Sequence, residues 1–295
     1  MLRRTVLLGI LLGLCTSLCW ALGNVFIQRS GRAIGSPRAL VWALSLGALG
    51  SAAVAPLFDQ RSESASDATW AWMFLAALTG IIAYAGLFYS FTRAKLSLAV
   101  PLVSCWALIA GLLSLTVFHQ SVRPAQLAGA AVVLVGVVLV SVGASRTTDP
   151  GSASTPNGGW KPLAAAFTSG VAFGVMVPAM AHTTPVCGVF GTAAAVYLIG
   201  LALVVPLALL LHVNLKPPPR EAWRDVIGAG LFETLGFVAL NAAGRFAPVA
   251  LVAPVGSLAA VLTVIYAAVF LRERPGRLAL SGAFLASLGV VVLAL

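Results

Sequence analysis

The chain has 295 residues, of which 60% are hydrophobic and only 9% are charged, and its formal net charge is +10. A mean hydropathy of +1.02 leaves too little polar surface to cover a soluble fold of this length, so a soluble protein is excluded. The apolar stretches run to roughly twenty residues, which favours an all-α membrane protein over a barrel built from shorter strands.

The segments between charged and turn-forming residues predict ten transmembrane helices. The predicted spans are 5–27, 39–57, 69–92, 97–118, 125–144, 161–181, 188–212, 222–244, 248–271 and 278–295. The longest polar stretch, SRTTDPGSASTPNGG, lies near the middle of the chain and has the composition of a flexible linker. We therefore expect a first five-helix repeat at 1–145, a linker at 146–160 and a second five-helix repeat at 161–295.

The two halves of the sequence are similar at a shift of 153 positions, which places LSLAVPLVS on VALVAPVGS and Pro101 on Pro254. The same shift places Trp70 on Trp223 and superposes glycines of the fifth and tenth predicted helices. Because five crossings per copy is an odd number, the second copy must enter the membrane from the opposite face. Inverted repeats are typical of alternating-access transporters, whose solute site lies near the midplane between the halves.

Stretches at both ends of the chain resemble a known family. CWALGNVFIQR resembles the helix 1 signature of the drug/metabolite transporter superfamily. The segment from APVALVAPVGSL to LASLGVVVL resembles the ending of its ten-helix EamA-type branch, including Glu273 after helix 9. In the first half, Gln120 stands where the corresponding glutamate would be expected. The resemblance covers nearly the whole chain and implies a central cavity lined by helices 1, 3, 4, 6, 8 and 9, with helices 5 and 10 on the periphery.

The resemblance implies a permease for amino acids, other small metabolites, sugar phosphates, drugs or cations, without selecting among them. FAPVALVAPVGSL also resembles the presumed magnesium-transporter branch of the superfamily, and NVFIQRSGR is compatible with either branch. We therefore expect a secondary transporter that moves a small metabolite or drug-like solute by alternating access. The alternatives are a magnesium or other cation transporter of the same superfamily and a non-transporting membrane scaffold.

Glu233 is the only ionisable side chain between Asp225 and Arg245, near the middle of the eighth predicted helix. A carboxyl group at the bilayer centre is costly unless it faces a cavity, finds a donor or is protonated. We predict that Glu233 binds substrate, either by exchanging a proton, the candidate coupling ion, or by holding a cationic group of the solute. A neutral carboxyl group that joins two helices is the structural alternative. The shift of 153 positions pairs Glu233 with Gly80, so the first repeat has no acid at the equivalent position.

Two amides and two aromatic residues complete the candidate substrate-binding set. Asn24 on the first predicted helix and Asn241 on the eighth lie inside apolar spans, where an amide requires a partner or water. Trp20 lies one turn before Asn24, and Tyr84 lies on the third predicted helix. For the aromatic residues, packing or anchoring at the membrane interface is the alternative.

Pro101 and Pro254 each remove a backbone hydrogen bond early in a span. Their equivalent positions in the two repeats predict a hinge or a broken helix, and a plain kink is the alternative.

The basic residues flank the predicted spans, which indicates a membrane orientation and no nucleic-acid partner. Arg3, Arg4, Arg61, Arg123 and Arg245 collect on one face, and the other basic residues of the chain's eighteen lie on the opposite face. The positive-inside rule then places the second face in the cytoplasm and both termini outside. The expected location is the plasma (inner) membrane.

The absence of common catalytic motifs from the sequence argues against an enzyme. The sequence has no HExxH motif, no GxSxG motif and no acidic pair. It also lacks a GxxxxGK[ST] nucleotide-binding loop, so transport should not hydrolyse ATP, and we expect neither a cofactor nor a bound metal. The expected partners are a small-molecule solute and the lipid bilayer, and a complete inverted pair can operate as a monomer or a homodimer.

Overall fold

The structure is a computed structural model that describes residues 2–59, 66–94, 96–146, 160–270 and 276–294. Within these ranges the chain forms twelve α-helices and no strand. The helices are α1 (Leu2–Ile34), α2 (Ser36–Phe58), α3 (Asp67–Arg93), α4 (Leu96–Val103), α5 (Trp106–Thr116), α6 (Pro124–Arg146), α7 (Lys161–Cys187), α8 (Val189–Leu210), α9 (Arg220–Gly244), α10 (Val249–Gly256), α11 (Ala259–Phe270) and α12 (Arg277–Ala294). Most of the predicted linker and Glu273 lie outside the described residues.

In the described ranges, seven helical segments are long and apolar enough to cross a membrane. One of them, Ala99–Thr116, runs through the junction of α4 and α5, and the shorter apolar helices are Pro124–Val140, Val249–Thr263 and Arg277–Leu293. Large apolar side chains lie on the outer surface, such as Phe284, which is 74% exposed. This surface suits lipid rather than water, so the chain is an all-helical, multi-pass membrane protein.

In the first repeat, α1 and α3 run in the same direction. Gln28, near the end of α1, donates from Nε2 to the carbonyl groups of Phe91 at 3.0 Å and Ala94 at 3.5 Å. These two carbonyl groups lie at the end of α3, so both helices end at the same face of the bundle.

In contrast, α3 and α7 run in opposite directions. Ser169 Oγ donates to the Ala83 carbonyl group at 2.7 Å, and Met176, two turns later in α7, lies against Gly80, one turn earlier in α3. Because α7 is the equivalent of α1 at the shift of 153 positions, equivalent helices cross the bundle in opposite senses. The two repeats are therefore inverted.

The equivalent contact between the repeats joins α1 to α9. Thr16 Oγ1 shares its proton between the Gly236 carbonyl group at 3.2 Å and the Leu12 carbonyl group of its own helix at 3.0 Å. The shift of 153 positions maps Thr16 and Gly236 onto Ser169 and Ala83. Each bond joins the first helix of one repeat to the third long helix of the other. The halves therefore interlock through two equivalent helix pairs, and neither half packs only on itself.

Two spans are broken at equivalent positions. The helix α4 ends at Val103 and α5 begins at Trp106, while α10 ends at Gly256 and α11 begins at Ala259. These bounds agree at the shift of 153 positions. The predicted spans 97–118 and 248–271 therefore each consist of two helices, with the break just after a proline.

The last helices of the repeats, α6 and α12, pack closely against each other. A Cβ atom on Gly136 would lie 2.7 Å from Ala286 Cα, and one on Gly289 would lie 2.6 Å from Val133 N. These two contacts are equivalent under the repeat. Only glycine permits this approach of the two backbones, which is the small-residue packing common between membrane helices.

The first helix is longer than predicted, since α1 continues to Ile34 through the polar segment QRSGR. Besides the contacts of Gln28, Arg32 Nε donates to the Thr92 carbonyl group at 3.4 Å. These side chains bind carbonyl groups at the C-terminal end of α3, which α3 itself cannot satisfy. The polar residues after residue 27 predict the end of the helix. In the structure they remain helical and bind the end of α3.

Candidate substrate-binding site

A central cavity lies where the two broken spans meet α1, α3, α7 and α9. Its volume is about 40 Å³, which is room for a few water molecules. Its aromatic lining residues are Trp20, Phe91, Trp106 and Phe173, and its polar ones are Asn24, Ser104, Glu233 and Ser257. The helices around it are those that the family resemblance implies for the cavity.

Glu233 lies near the middle of α9 and is only 6% exposed. Its Oε1 atom faces α1, 3.0 Å from the position of a Cβ atom on Gly23. Among the described residues, no hydrogen bond to this carboxyl group is found, and its electrostatic neighbours are Cys19, Tyr84 and Tyr197. A buried carboxyl group without a protein donor has its oxygen atoms available to a proton or a solute.

Trp20 forms part of the cavity wall next to Glu233. Its ring meets Trp106 edge-on with centroids 5.4 Å apart and Phe237 with centroids 5.0 Å apart. The Nε1 atom is buried against α9 at Gly236 and has no hydrogen-bond partner among the described residues. The indole therefore lines the cavity, while its N–H group faces the neighbouring helix.

Asn24 lies one turn beyond Trp20 and joins α1 to α11. Its Nδ2 atom donates to Thr263 Oγ1 at 3.5 Å, and Thr263 in turn donates to the Ala259 carbonyl group at 2.7 Å. Because the Thr263 proton is already used, the amide nitrogen of Asn24 must face Thr263. The amide oxygen of Asn24 is therefore left as an acceptor.

Two serines line the cavity at the helix breaks. Ser104 Oγ donates to the Val100 carbonyl group at 2.9 Å, and Ser257 Oγ donates to the Pro254 carbonyl group at 2.6 Å. The two positions are equivalent under the shift of 153 positions. Both hydroxyl protons bind backbone within the preceding turn, so each oxygen keeps its lone pairs for another partner.

The EamA-like transporter family matches residues 7–142 and again residues 160–295. The chain belongs to this family of membrane transporters. One crystal structure, described only as that of a protein, matches with a TM-score of 0.74 at 18% identity, over 96% of this chain and 95% of that chain. It is one of 29 matching chains, and at this identity it supports the fold alone. No curated protein matches.

In this EamA-like transporter, Tyr84 does not line the central cavity but packs behind it. Its hydroxyl group lies 3.2 Å from that of Tyr197, and its ring contacts Phe173 and Phe237 with centroids 5.2 Å and 5.8 Å apart. Phe173 and Tyr84 are the repeat equivalents of Trp20 and Phe237. Tyr84 therefore supports the aromatic wall from behind.

Asn241 lies two turns beyond Glu233 on α9 and is not among the residues that line the cavity. It is only 3% exposed, and its Nδ2 atom has no partner among the described residues. Asn241 therefore does not contact the cavity in this conformation, and its role in substrate binding stays a prediction.

Pro101 and Pro254 lie inside α4 and α10, shortly before the two breaks. At the first break, α7 approaches closely, since a Cβ atom on Gly170 would lie 2.6 Å from the Val103 carbonyl oxygen. The proline and this close approach both disturb regular α-helical hydrogen bonding here. The predicted hinge function of the prolines stays a prediction.

A second, larger cavity of about 480 Å³ lies between the start of α3 and the ends of α5, α7 and α9. His182 forms its aromatic wall with Trp72 and Phe118, at centroid distances of 5.4 Å to each. Gln120 also lines it and accepts a hydrogen bond from Val249 N at 2.9 Å. The cavity therefore lies beyond the central site, towards the face where α10 begins.

Sequence reasoning missed several lining residues, among them Ser104, Ser257 and Trp106. The two serines had a usable signal, because both end the repeated stretch LSLAVPLVS and VALVAPVGS. A shared polar residue in an otherwise apolar repeat points to a position that both halves need. Trp106 had no such signal, since Ala259 stands at the equivalent position.

Proposed function

We propose that the chain is a secondary transporter that carries a small metabolite or drug-like solute across the plasma (inner) membrane by alternating access. The observation that carries this proposal is the position of Glu233, a buried carboxyl group without a protein donor, in a cavity between inverted repeats. Trp20 and Asn24 line the same cavity and are its proposed substrate-binding neighbours. Transporter folds of this type bind solute near the midplane at the repeat interface.

The proposed topology has ten crossings. In it α4 and α5 together form one crossing, α10 and α11 form another, and each of the remaining eight helices crosses once. This assignment gives five crossings per repeat, an odd number, and agrees with the opposite directions of α1 and α7. Broken helices that flank the site are a recurrent feature of secondary transporters.

The proposed cycle is a rocking of the two halves that opens the central cavity to each side in turn. A volume of about 40 Å³ is small for a drug-like solute, which supports a central site that is closed in this conformation. The cavity of about 480 Å³ near His182 lies where a path to one face would run. Because the site lies between halves of one chain, a monomer suffices, and a homodimer would carry two sites.

In this cycle Glu233 exchanges a proton or engages an amine of the solute. A charged carboxylate is stabilised while the cavity holds water or a cation, and protonation removes its charge when the cavity is empty and dry. Exchange between these two states couples the carboxyl group to the opening of the cavity. A proton is therefore the proposed coupling ion.

The decisive experiment compares Glu233→Gln with Glu221→Gln, an exposed acid in the first turn of the same helix. An untargeted comparison of internal and external metabolites in deleted and overproducing cells selects the solute. Its flux is then measured in proteoliposomes across a pH series. Glu233→Gln should abolish transport or remove its pH dependence, whereas Glu221→Gln should behave as the wild type. Unchanged flux and an unchanged pH profile in Glu233→Gln would contradict the proposal.

The proposed orientation follows the basic residues and places both termini outside. A C-terminal phosphatase fusion should be active in intact cells, while a fluorescent-protein fusion at the same position should stay dark. The opposite pair of results would reverse the orientation without affecting the role of Glu233.

The magnesium alternative has less support from the cavity. It offers one carboxyl group, whereas Mg²⁺ gives up its water reluctantly and favours several oxygen ligands. In the described part of the chain, no three His, Cys, Asp or Glu side chains are placed to hold a metal ion. A scaffold, the other alternative, would show no solute flux in proteoliposomes.

A further inference from the structure

The polar groups of the central cavity are mostly hydrogen-bond acceptors. Ser104 and Ser257 donate their protons to backbone carbonyl groups, so only their lone pairs remain. Asn24 binds Thr263 through its amide nitrogen, which leaves its amide oxygen. Glu233 adds two carboxyl oxygens, to which no described residue donates a hydrogen bond. A solute that satisfies this set must bring several donors of its own.

The charge of the cavity wall also disfavours an anionic group on the solute. Glu233 is the only ionisable lining residue, and no Lys, Arg or His is among the described residues that line the cavity. The N–H group of Trp20 faces α9. The indole of Trp106 and the second amide proton of Asn24 are neutral donors, which cannot offset the charge of a carboxylate or phosphate. An anionic group on the solute would therefore be desolvated beside Glu233 without a cationic partner.

The remaining wall suits an apolar body next to a cation. Trp20, Phe91, Trp106 and Phe173 place four aromatic rings around the cavity, and aromatic faces attract desolvated cations. Trp20 and Phe173 are repeat equivalents, so each half contributes a ring at the same position. These rings would contact the hydrocarbon part of a solute whose cation binds the oxygen atoms.

We propose that the solute is a small primary amine, bound as its ammonium form with an apolar or aromatic body and no carboxylate, and that Ser104 and Ser257 bind its N–H groups together with Glu233. This inference rests on the proposed transport function and names its substrate class. Three N–H donors of a primary ammonium group match the acceptors of Glu233 and the two serines. A quaternary ammonium ion carries the same charge but has no donor to offer them.

The test is calorimetric titration of the purified full-length protein in detergent with five probes. Phenethylamine and hexylamine are the primary amines, phenethyltrimethylammonium is the quaternary analogue, and phenylalanine and phenylpropionate carry a carboxylate. At least one primary amine should bind, and the quaternary analogue and both carboxylates should bind at least about ten-fold more weakly. Binding of neither primary amine, or equal or tighter binding of the quaternary analogue or a carboxylate, would overturn the proposal.

The serines are tested by a double variant, Ser104→Ala with Ser257→Ala. It should weaken binding of the primary amine by about ten-fold and leave the quaternary analogue unchanged, because only the primary amine uses the serine oxygens. The matched control is Ser114→Ala, which removes a similar intrahelical bond to the Ala110 carbonyl group outside the cavity. Equal weakening of both ligands would assign the serines a structural role and contradict this part of the proposal.

These outcomes are separable from those of the proposed function. If flux of the solute found in cells requires Glu233 but no primary amine binds, the transport function stands and the substrate class is wrong. If amines bind as expected and Glu233→Gln transports like the wild type, the transport role of Glu233 is wrong instead.

Discussion

The carboxyl group of Glu233 lies against the backbone of Gly23, with Oε1 at 3.0 Å from the position that a Cβ atom on Gly23 would occupy. A side chain on α1 at this point would enter the space that the carboxyl group uses. Gly23 therefore sets how closely α9 approaches α1 at the depth of the site. The position of Glu233, in the second repeat, therefore depends on a glycine at residue 23 of the first repeat.

The same arrangement recurs in the other half with different chemistry. The repeat equivalents of Glu233 and Gly23 are Gly80 and Met176, and a Cβ atom on Gly80 would lie 3.1 Å from Met176 Sδ. In both pairs one helix carries glycine and the facing helix fills the gap. In the pair of Gly23 and Glu233, the second repeat contributes an acid. In the pair of Gly80 and Met176, the second repeat contributes an apolar methionine. The two gaps are equivalent in space, but only one contains an ionisable group.

Gly23→Ala should impair transport more than Gly80→Ala does. The new methyl group at residue 23 displaces a carboxyl group that the site uses, whereas at residue 80 it displaces the flexible end of Met176. We expect a several-fold loss of flux for Gly23→Ala, corresponding to about 1 kcal/mol, and near wild-type flux for Gly80→Ala. Proteoliposome flux and thermal unfolding of both variants provide the measurement. Equal flux from the two variants would show that the contact with Gly23 does not position Glu233.

Replacing the prolines before the breaks tests their predicted hinge role. Pro101→Ala and Pro254→Ala restore an amide N–H group that can donate to the carbonyl group one turn earlier. The helices should become more regular, so we expect unchanged or higher thermal stability together with reduced flux. Pro56→Ala, at an exposed position in the last turns of α2, is the matched control. Wild-type flux in both variants would contradict a hinge at either proline and favour a plain kink.

The repeat and the acid in the middle of the eighth span could be predicted because they rest on rare residues in an apolar background. Pro101, Pro254 and the shared glycines set the register of the repeat, and Glu233 is conspicuous because carboxyl groups are costly at that depth. The repeat then required opposite directions for α1 and α7, which the contacts of Ser169 and Met176 support.

The lining residues could not be predicted in the same way. The spans are apolar on every side, so periodicity does not separate a cavity face from a lipid face. Asn24 and Asn241 look alike in the sequence, yet Asn24 binds Thr263 beside the cavity and Asn241 is buried without a partner for Nδ2. Which amide faces the cavity depends on rotation of α1 and α9 about their axes, and that rotation is set by contacts such as that between Thr16 and Gly236.

Asp59→Ala should destabilise the fold more than Asp67→Ala does. The Asp59 carboxylate accepts hydrogen bonds from Val189 N at 2.9 Å and Gly191 N at 2.5 Å, so it caps the start of α8 from the end of α2. Loss of the two bonds and of the favourable charge should cost about 1–2 kcal/mol. Asp67 lies in the first turn of α3, where Ser66 already provides the cap. Thermal unfolding of the two variants in one detergent checks this difference, and equal unfolding temperatures would contradict the capping role.

Gly136→Ala should destabilise the pairing of α6 with α12, while Gly50→Ala should not. The methyl group at residue 136 would lie 2.7 Å from the Cα atom of Ala286, and backbone cannot move aside as a flexible side chain can. We expect a loss of about 1–3 kcal/mol. The methyl group at residue 50 would meet nothing within 4 Å, so α2 should gain up to about 1 kcal/mol from the higher helix propensity of alanine. Neither α6 nor α12 lines the central cavity, so the folded fraction of Gly136→Ala should keep its flux per molecule. A loss of flux without a loss of stability would instead mean that α6 and α12 move against each other during transport.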